Sequence, residues 1–265
     1  MSYEDILYDV KDRIATITIN RPKVLNAFTG DTIVEMETAL AAAEADSEVG
    51  VIVLTGVGER AFCVGGDVNW EKGHSEGDDS SESGLKDLDF NFNHQLLNCT
   101  KPVICRVNGY AIGAGNHIAY FCDITIAADH AIMGQNGVRV GSPACGYIVS
   151  QAANIIGQKR AREMWMLARR YPAQTFMDWG LVNAVVPMAD LDAEVKKWAD
   201  EFLALSPTCL KLLKRSFYYQ AEPILAKDMT EVIADEAPDY FETGEQLEGA
   251  NAFLEKRKPD FTAFR

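Results

Sequence analysis

Apolar and polar side chains alternate along residues 6–10 and again along 14–19, with Asp12 and Arg13 between the two runs. That period of two predicts a β-hairpin at the edge of a sheet. The spacing then changes. Ile33, Met36, Leu40 and Ala43 recur at helical intervals and predict an amphipathic helix over 32–45. Residues 51–54, VIVL, are apolar without a break, as in a strand buried on both faces of a parallel sheet. A glycine-containing loop, AFCVGGDV, follows at 61–68. Further along, the pattern predicts a helix at 90–98, a strand at 103–107, and a glycine-rich turn from 109 that enters an apolar helix. Short strands are expected at 124–127 and 131–133, then helices at 148–156, 159–169 and 173–179, a strand at 181–186 and a helix at 191–205. Beyond Pro207 nearly everything reads as helix, including 210–219 and 224–241. The first two thirds therefore repeat strand, strand and helix, and the last third is a helical layer, an α/β organisation.

One stretch breaks the pattern. Residues 71–89, EKGHSEGDDSSESGLKDLD, are acidic, rich in Ser and Gly and nearly free of apolar side chains. Such a segment buries too little surface to offset its ordering entropy, so a mobile loop is expected, either a solvated insertion or a lid beside a ligand. Elsewhere, 48% hydrophobic residues in a chain of 265 support a sizeable core. The formal net charge of −14 argues against a nucleic-acid surface and against docking on anionic lipid. No apolar run reaches the length of a membrane span, and the opening MSYEDILYDV is too charged for a signal peptide. Cysteines at 63, 99, 105, 122, 145 and 209 form no C-x-x-C pair, and the four histidines give no zinc spacing. Reduced thiols in a cytoplasmic protein without a metal are the expectation.

The turn at 109–115 carries the first chemical suggestion. A strand, a glycine turn and a helix in succession leave unpaired backbone N–H groups at a helix N-terminus, where the dipole also favours negative charge. That arrangement suits a developing oxyanion, although such turns also serve close packing.

Three spaced motifs, NRPKVLNAF at 20–28, AFCVGGDV at 61–68 and GYAIGAGNHIAYFCDITIAAD at 109–129, together resemble the crotonase, or enoyl-CoA hydratase/isomerase, superfamily. The match keeps their order and spacing over nearly the whole chain. GQNGVRVGS at 134–142, GQKRAREMW at 157–165, GLVNAVVP at 180–187 and EKRKPDF at 255–261 look like the branch containing 1,4-dihydroxy-2-naphthoyl-CoA synthase and 2-ketocyclohexanecarboxyl-CoA hydrolase. The resemblance implies a spiral of ββα repeats over 1–190 that carries the oxyanion hole. It also implies a helical region, 191–265, that joins subunits into a homotrimer or homohexamer. The implied substrate is an acyl-CoA, with CoA part of the substrate and no tightly bound cofactor. Its thioester oxygen would accept N–H bonds from Gly66 and Ala114, the latter standing where the family usually has Gly. Val64, Gly65, Asp67, Val68, Tyr110 and Gly113 would line the pantetheine and thioester. Lys256 matches a lysine that contacts a CoA phosphate, within its own subunit or across a subunit boundary; the same basic run, 256–258, is otherwise a solvated surface.

The acid–base positions depart from the family. Hydratases place one glutamate just inside the helix of the third motif and another some twenty residues on, and here those positions read His117 and Gly137. Synthases and ring hydrolases of the nearer branch use an aspartate shortly after a Gly-Ser pair, a C-terminal tyrosine and an arginine after the first glycine loop. Gly141-Ser142 is present, but the other positions read Ala144, Phe241 beside Tyr240, and Glu71. In bicarbonate-dependent synthases, residues matching Gln135, Gly137 and Trp165 bracket a bound bicarbonate, so an anion or a substrate carboxylate is expected in the space at Gly137. His117 is expected either to act as general base or to be a hydrogen-bonded core histidine. Ser142 either contacts a substrate hydroxyl or caps local backbone. Cys145 reads as an inert thiol rather than a nucleophile, and Tyr147 and Tyr240 as packing aromatics. The expected reaction is ring opening of a cyclic β-oxoacyl-CoA by hydrolysis. Naphthoate-synthase-type ring closure, hydratase or isomerase activity, and silent acyl-CoA binding are the alternatives.

Overall fold

The computed structural model describes residues 3–75 and 91–264. Strands β1 (Ile6–Lys11) and β2 (Ile14–Ile19) form the expected antiparallel hairpin. Its turn is made by Asp12 and Arg13, both at positive φ (51° and 65°), which matches the right-handed twist of the strands. The alternation of β2 has a direct consequence: Ala15, Ile17 and Ile19 are buried. Helix α1 (Gly30–Ala45) begins at a capping box between Thr29 and Thr32 and buries Ile33, Met36, Leu40 and Ala43.

The chain then distributes its strands between two sheets. β3 (Val51–Gly56), buried along its whole length, is followed by β4 (Ala61–Cys63) and helix α2 (Val68–Ser75). After α3 (Asn91–Asn98), the same step recurs as β5 (Val103–Val107), β6 (Tyr110–Ile112) and α4 (Ala114–Phe121). It recurs again as β7 (Ile124–Ala128), β8 (Ile132–Gly134) and α5 (Tyr147–Ile156). α6 (Gln158–Met166), β9 (Arg170–Pro172), α7 (Ala173–Trp179) and β10 (Ala184–Val186) complete the α/β part. The first strand of each repeat enters a six-stranded sheet of order β1-β2-β3-β5-β7-β10, and the second enters a four-stranded sheet of order β4-β6-β8-β9. This is the expected mixed α/β fold of repeating ββα units.

Helices α8 (Leu191–Leu203), α9 (Pro207–Ala221), α10 (Met229–Glu236) and α11 (Glu245–Leu254) form the C-terminal layer. α8 belongs to the core: Leu191, Val195 and Ala199 pack on Val51, Val53, Ile104 and Ile126 of the large sheet. α9 is tied down by Lys214, whose buried ammonium pairs with Asp123 and donates to the Lys101 carbonyl at 3.0 Å. None of the described helices is long and apolar enough to cross a membrane.

Four local expectations are corrected. The helix expected over 224–241 is broken, because Asp228 starts α10 through a capping box with Glu231 and Pro238 follows its end. The helix expected to 169 stops at Met166, Ala168 takes positive φ (46°), and β9 begins. The strand expected at 181–186 forms only at Ala184–Val186, Leu181 and Val182 being buried loop residues after the left-handed Gly180. The loop expected from Glu71 does not begin there, since α2 continues to Ser75; the rest of that acidic stretch, 76–89, lies outside the described residues.

Candidate active site

The first two sequence motifs are parts of one structure. Arg21 bonds the carboxylates of Asp5 and Asp67 at 3.2 and 3.3 Å. Asn26, at positive φ (58°), donates to the carbonyls of Ala61 and Val57 at 2.8 and 3.2 Å. The segment 20–28 therefore holds the glycine loop in place. Phe28 completes the attachment through a parallel bridge to Gly66. In that bridge the Phe28 N–H donates to Gly65 O (3.0 Å) and the Asp67 N–H donates to Phe28 O (2.8 Å). The N–H of Gly66 itself takes no part in the bridge and is directed to the opposite side.

The second donor comes from α4. Ala114 is its first residue, so its N–H is one of the helix's four without an intrahelical acceptor. Gly113 precedes it at φ 60°, ψ −123°, a conformation that excludes a side chain there. Gly115 lets the helix start approach β4, because a β-carbon on it would fall 2.0 Å from the Cys63 carbonyl oxygen. Ala114 N is thereby brought to 3.5 Å from the point where a Gly65 β-carbon would stand. Gly66 and Ala114 both line one cavity, together with Val64, Gly65, Val68, Gly113, His117, Gln135, Gly137 and Ser142. Ten of the residues singled out by sequence thus meet in one place.

His117 lies one turn beyond Ala114 and is 1% exposed. Its Nε2 is 3.2 Å from Gln135 Oε1, and its ring stacks on Trp165 with centroids 4.8 Å apart. Burial holds the imidazole down to about 4, against a smaller opposing effect of the Gln135 bond, so it is neutral near neutral pH. Gln135 Nε2 and Trp165 Nε1 are buried donors with no acceptor among the described residues. Gly137 adds space: the nearest neighbour of a β-carbon there would be Ser142 O at 3.4 Å, an ordinary contact. Of the two buried donors, that of Gln135 belongs to a residue that lines the cavity together with Gly137, where an N–H suits a small oxyanion.

Glu71 is the residue that sequence reasoning passed over, registering it only as a missing arginine. It sits on the first turn of α2 and lines the cavity, and a β-carbon on Gly66 would fall 2.1 Å from its Oε1. Burial, with a further contribution from Asp67, pushes its carboxyl up to about 7. The helical spacing from Asp67 was the available signal. Phe28, Val140, Pro143, Ala144, Met229 and Phe241 supply the remaining walls.

Other expected positions are placed elsewhere. Trp165 reaches the cavity only through its stack on His117. The Asp67 carboxylate is engaged by Arg21 and by the Asn69 N–H at the start of α2, and is not part of the lining. Tyr110 is 43% exposed and borders a different depression with Arg60 and His130. Lys256 is an exposed residue after α11, outside the lining, and its neighbour Arg257 is bound by Glu248 and Glu255. Burial pushes the Cys145 thiol up, and it donates to the Met229 carbonyl, in keeping with an inert group. Tyr147 is buried edge-on to Phe121, and the Tyr240 hydroxyl donates to the Gly141 carbonyl.

Comparison with known proteins agrees with this construction. Solved structures similar to the chain include an enoyl-CoA hydratase/isomerase from Xanthobacter autotrophicus Py2, 30% identical, covering 98% of this chain and 100% of that one with a TM-score of 0.80. Another is an enoyl-CoA hydratase/isomerase from Pseudoalteromonas atlantica T6c, 25% identical, covering 97% and 100% with a TM-score of 0.84. A methylmalonyl-CoA decarboxylase in complex with 2-nitronate-propionyl-CoA, 23% identical over 98% of this chain and 99% of that one, shares the fold with a TM-score of 0.85. Because the model of the enoyl-CoA hydratase/isomerase family matches residues 9–263, almost the entire length, the chain belongs to that family, the crotonase superfamily.

Proposed function

We propose that this acyl-CoA enzyme opens a cyclic β-oxoacyl-CoA by hydrolysis. The observation that carries the reading is a pair of backbone donors, Gly66 and Ala114, facing a cavity in which a neutral imidazole replaces the hydratase glutamate and position 137 has no side chain. Two N–H groups in a dry site stabilise a thioester enolate. Positions 117 and 137 lack the two carboxylates with which hydratases add water across a double bond. Water would instead add to the ring ketone while His117 accepts its proton. The bond between the ketone carbon and the α-carbon then breaks, and its electron pair becomes the thioester enolate held by the two N–H groups. Protonation of the α-carbon returns the thioester, and the former ketone leaves as a carboxylate.

Naphthoate-synthase-type ring closure is a second reading, supported by the buried Gln135 donor in the cavity that Gly137 also lines, a place where bicarbonate would be held. A homotrimer or homohexamer is proposed as well, supported by the exposed apolar side chains Leu212, Leu213, Phe217 and Tyr219 on α9. Mass-spectrometric assay against cyclic β-oxoacyl-CoAs, enoyl-CoAs and succinylbenzoyl-CoA, with and without bicarbonate, tests both reactions. Hydrolysis of a cyclic β-oxoacyl-CoA without bicarbonate is the expected result. Bicarbonate-dependent ring closure, or binding with no turnover of any member, would overturn it. Sedimentation tests the assembly, which a monomer would refute.

A further inference from the structure

Each oxyanion donor is followed in sequence by one titratable side chain. Ala114 is followed three positions later by His117 on α4, and Gly66 five positions later by Glu71 on α2. Both side chains line the same cavity. The family resemblance supplies a role for position 117 but none for a carboxyl at position 71.

The seat of the Glu71 carboxyl is built by its surroundings. Gly66 has no β-carbon, and one placed there would stand 2.1 Å from Oε1 and 3.0 Å from Cδ of Glu71. The acid therefore packs on the α-carbon of the residue that supplies the first donor. α11 packs against α2 from outside, and Phe241 closes the same cavity. The backbone of α2 fixes the approach, since the Glu71 N–H donates to the Asp67 carbonyl at 2.9 Å. A thioester whose oxygen is held by Gly66 and Ala114 has its α-carbon one bond from the carbonyl carbon, so the carboxyl lies beside that end of the substrate. His117, on the opposite donor's helix, serves the β-end.

We propose that Glu71 gives and takes the α-proton of the bound thioester. This rests on the reading that an acyl-CoA thioester occupies the Gly66 and Ala114 donors. In the forward direction the Glu71 O–H bond breaks and a C–H bond forms from the enolate electron pair. The thioester carbonyl is restored, and Glu71 is left as carboxylate. The proton released by the attacking water returns it to the acid. In the reverse direction the carboxylate removes the α-proton and the enolate charge moves to the oxygen between the two N–H groups. Burial and the neighbouring Asp67 hold the acid at about 7, so both forms are populated near neutral pH.

The experiment is hydrogen–deuterium exchange at the α-carbon of butyryl-CoA and cyclohexanecarboxyl-CoA in heavy water, followed by mass spectrometry, with affinity measured by calorimetry. The wild-type enzyme is expected to exchange the α-hydrogen. Glu71→Gln should lower the exchange rate by ~100-fold or more with affinity changed by less than about threefold. Glu71→Asp should recover part of the loss. Wild-type exchange rates in Glu71→Gln would overturn the proposal, as would a wild-type enzyme that binds the esters without exchanging them. Failure of the wild-type enzyme to bind either ester would instead overturn the acyl-CoA reading on which the proposal stands.

Discussion

The imidazole of His117 is clamped between Gln135, whose Oε1 lies 3.2 Å from Nε2, and Trp165, whose ring stacks on it at 4.8 Å. Burial keeps the ring neutral, against the smaller opposing effect of the Gln135 contact. A histidine held down to about 4 in the folded protein and near 6.5 when unfolded binds fewer protons in the fold between those values. Its contribution to stability is therefore complete above pH 6.5 and is lost as pH falls toward 4. Denaturant titrations at pH 7 and pH 4.5 should differ by about 2–3 kcal/mol more in the wild-type protein than in His117→Phe. Equal pH dependence in the two would refute the clamp.

Glu71 has the opposite sign. With its carboxyl raised from 4.5 to about 7, the folded state binds more protons than the unfolded chain in that interval. Stability is highest below pH 4.5 and declines as pH rises through 7, because burial and the neighbouring Asp67 both oppose the carboxylate. Glu71→Gln should gain about 1–3 kcal/mol at pH 8 and almost nothing at pH 4, read as chemical unfolding free energies. No gain at pH 8 would contradict the burial of this acid.

Ala114 offers a clean removal of one proposed oxyanion donor. It is the first residue of α4, where proline's fixed φ and missing N–H are tolerated. Ala114→Pro should fold with a melting temperature near that of the wild type yet lose about 10²–10³-fold in kcat. A variant with full kcat would show that this N–H carries no transition-state charge.

The contact between Gly66 and Glu71 predicts coupling. Gly66→Ala places a methyl where Oε1 now lies and should displace the carboxyl. Its effect on kcat should shrink when it is introduced into Glu71→Ala, by a coupling of about 1 kcal/mol or more in the cycle. Additive effects would show that the two positions act independently.

Lys214 and Asp123 form the tie between α9 and the core, with the Val103 N–H also donating to Asp123 at 2.7 Å. Lys214→Met leaves that partly exposed carboxylate without its cation and should cost about 1–3 kcal/mol in denaturant unfolding. The double variant with Asp123→Asn should recover part of the loss. A loss below about 1 kcal/mol in the single variant would mean that α9 is held by packing alone.

Long periodic segments declare themselves in this chain. The hairpin of β1 and β2, the apolar stripe of α1 and the unbroken run of β3 were legible because each repeats its pattern often enough to identify its period. The strands of the small sheet were less so: β6 and β9 span three residues each, too short for alternation to register. The true extent of α10 was hidden within the helix expected over 224–241 because apolar positions run through it, while Asp228 and Pro238 decide where it starts and stops.

At the site, the sequence by itself determined the backbone chemistry. Glycines at 65, 66, 113 and 115 permit the turns and the close approach of two segments, and the motif order places both donors in one family arrangement. What only the tertiary structure decided is which side chains meet those donors. Glu71 enters the cavity because α2 continues through a stretch whose composition reads as loop, and because the chain at Gly66 leaves a carboxyl-sized gap. His117 is neutral because the fold buries it, with Gln135 and Trp165, 18 and 48 positions away, packed against the ring. Both outcomes depend on desolvation by residues distant in sequence, and burial is a property of the packed fold that local pattern does not encode.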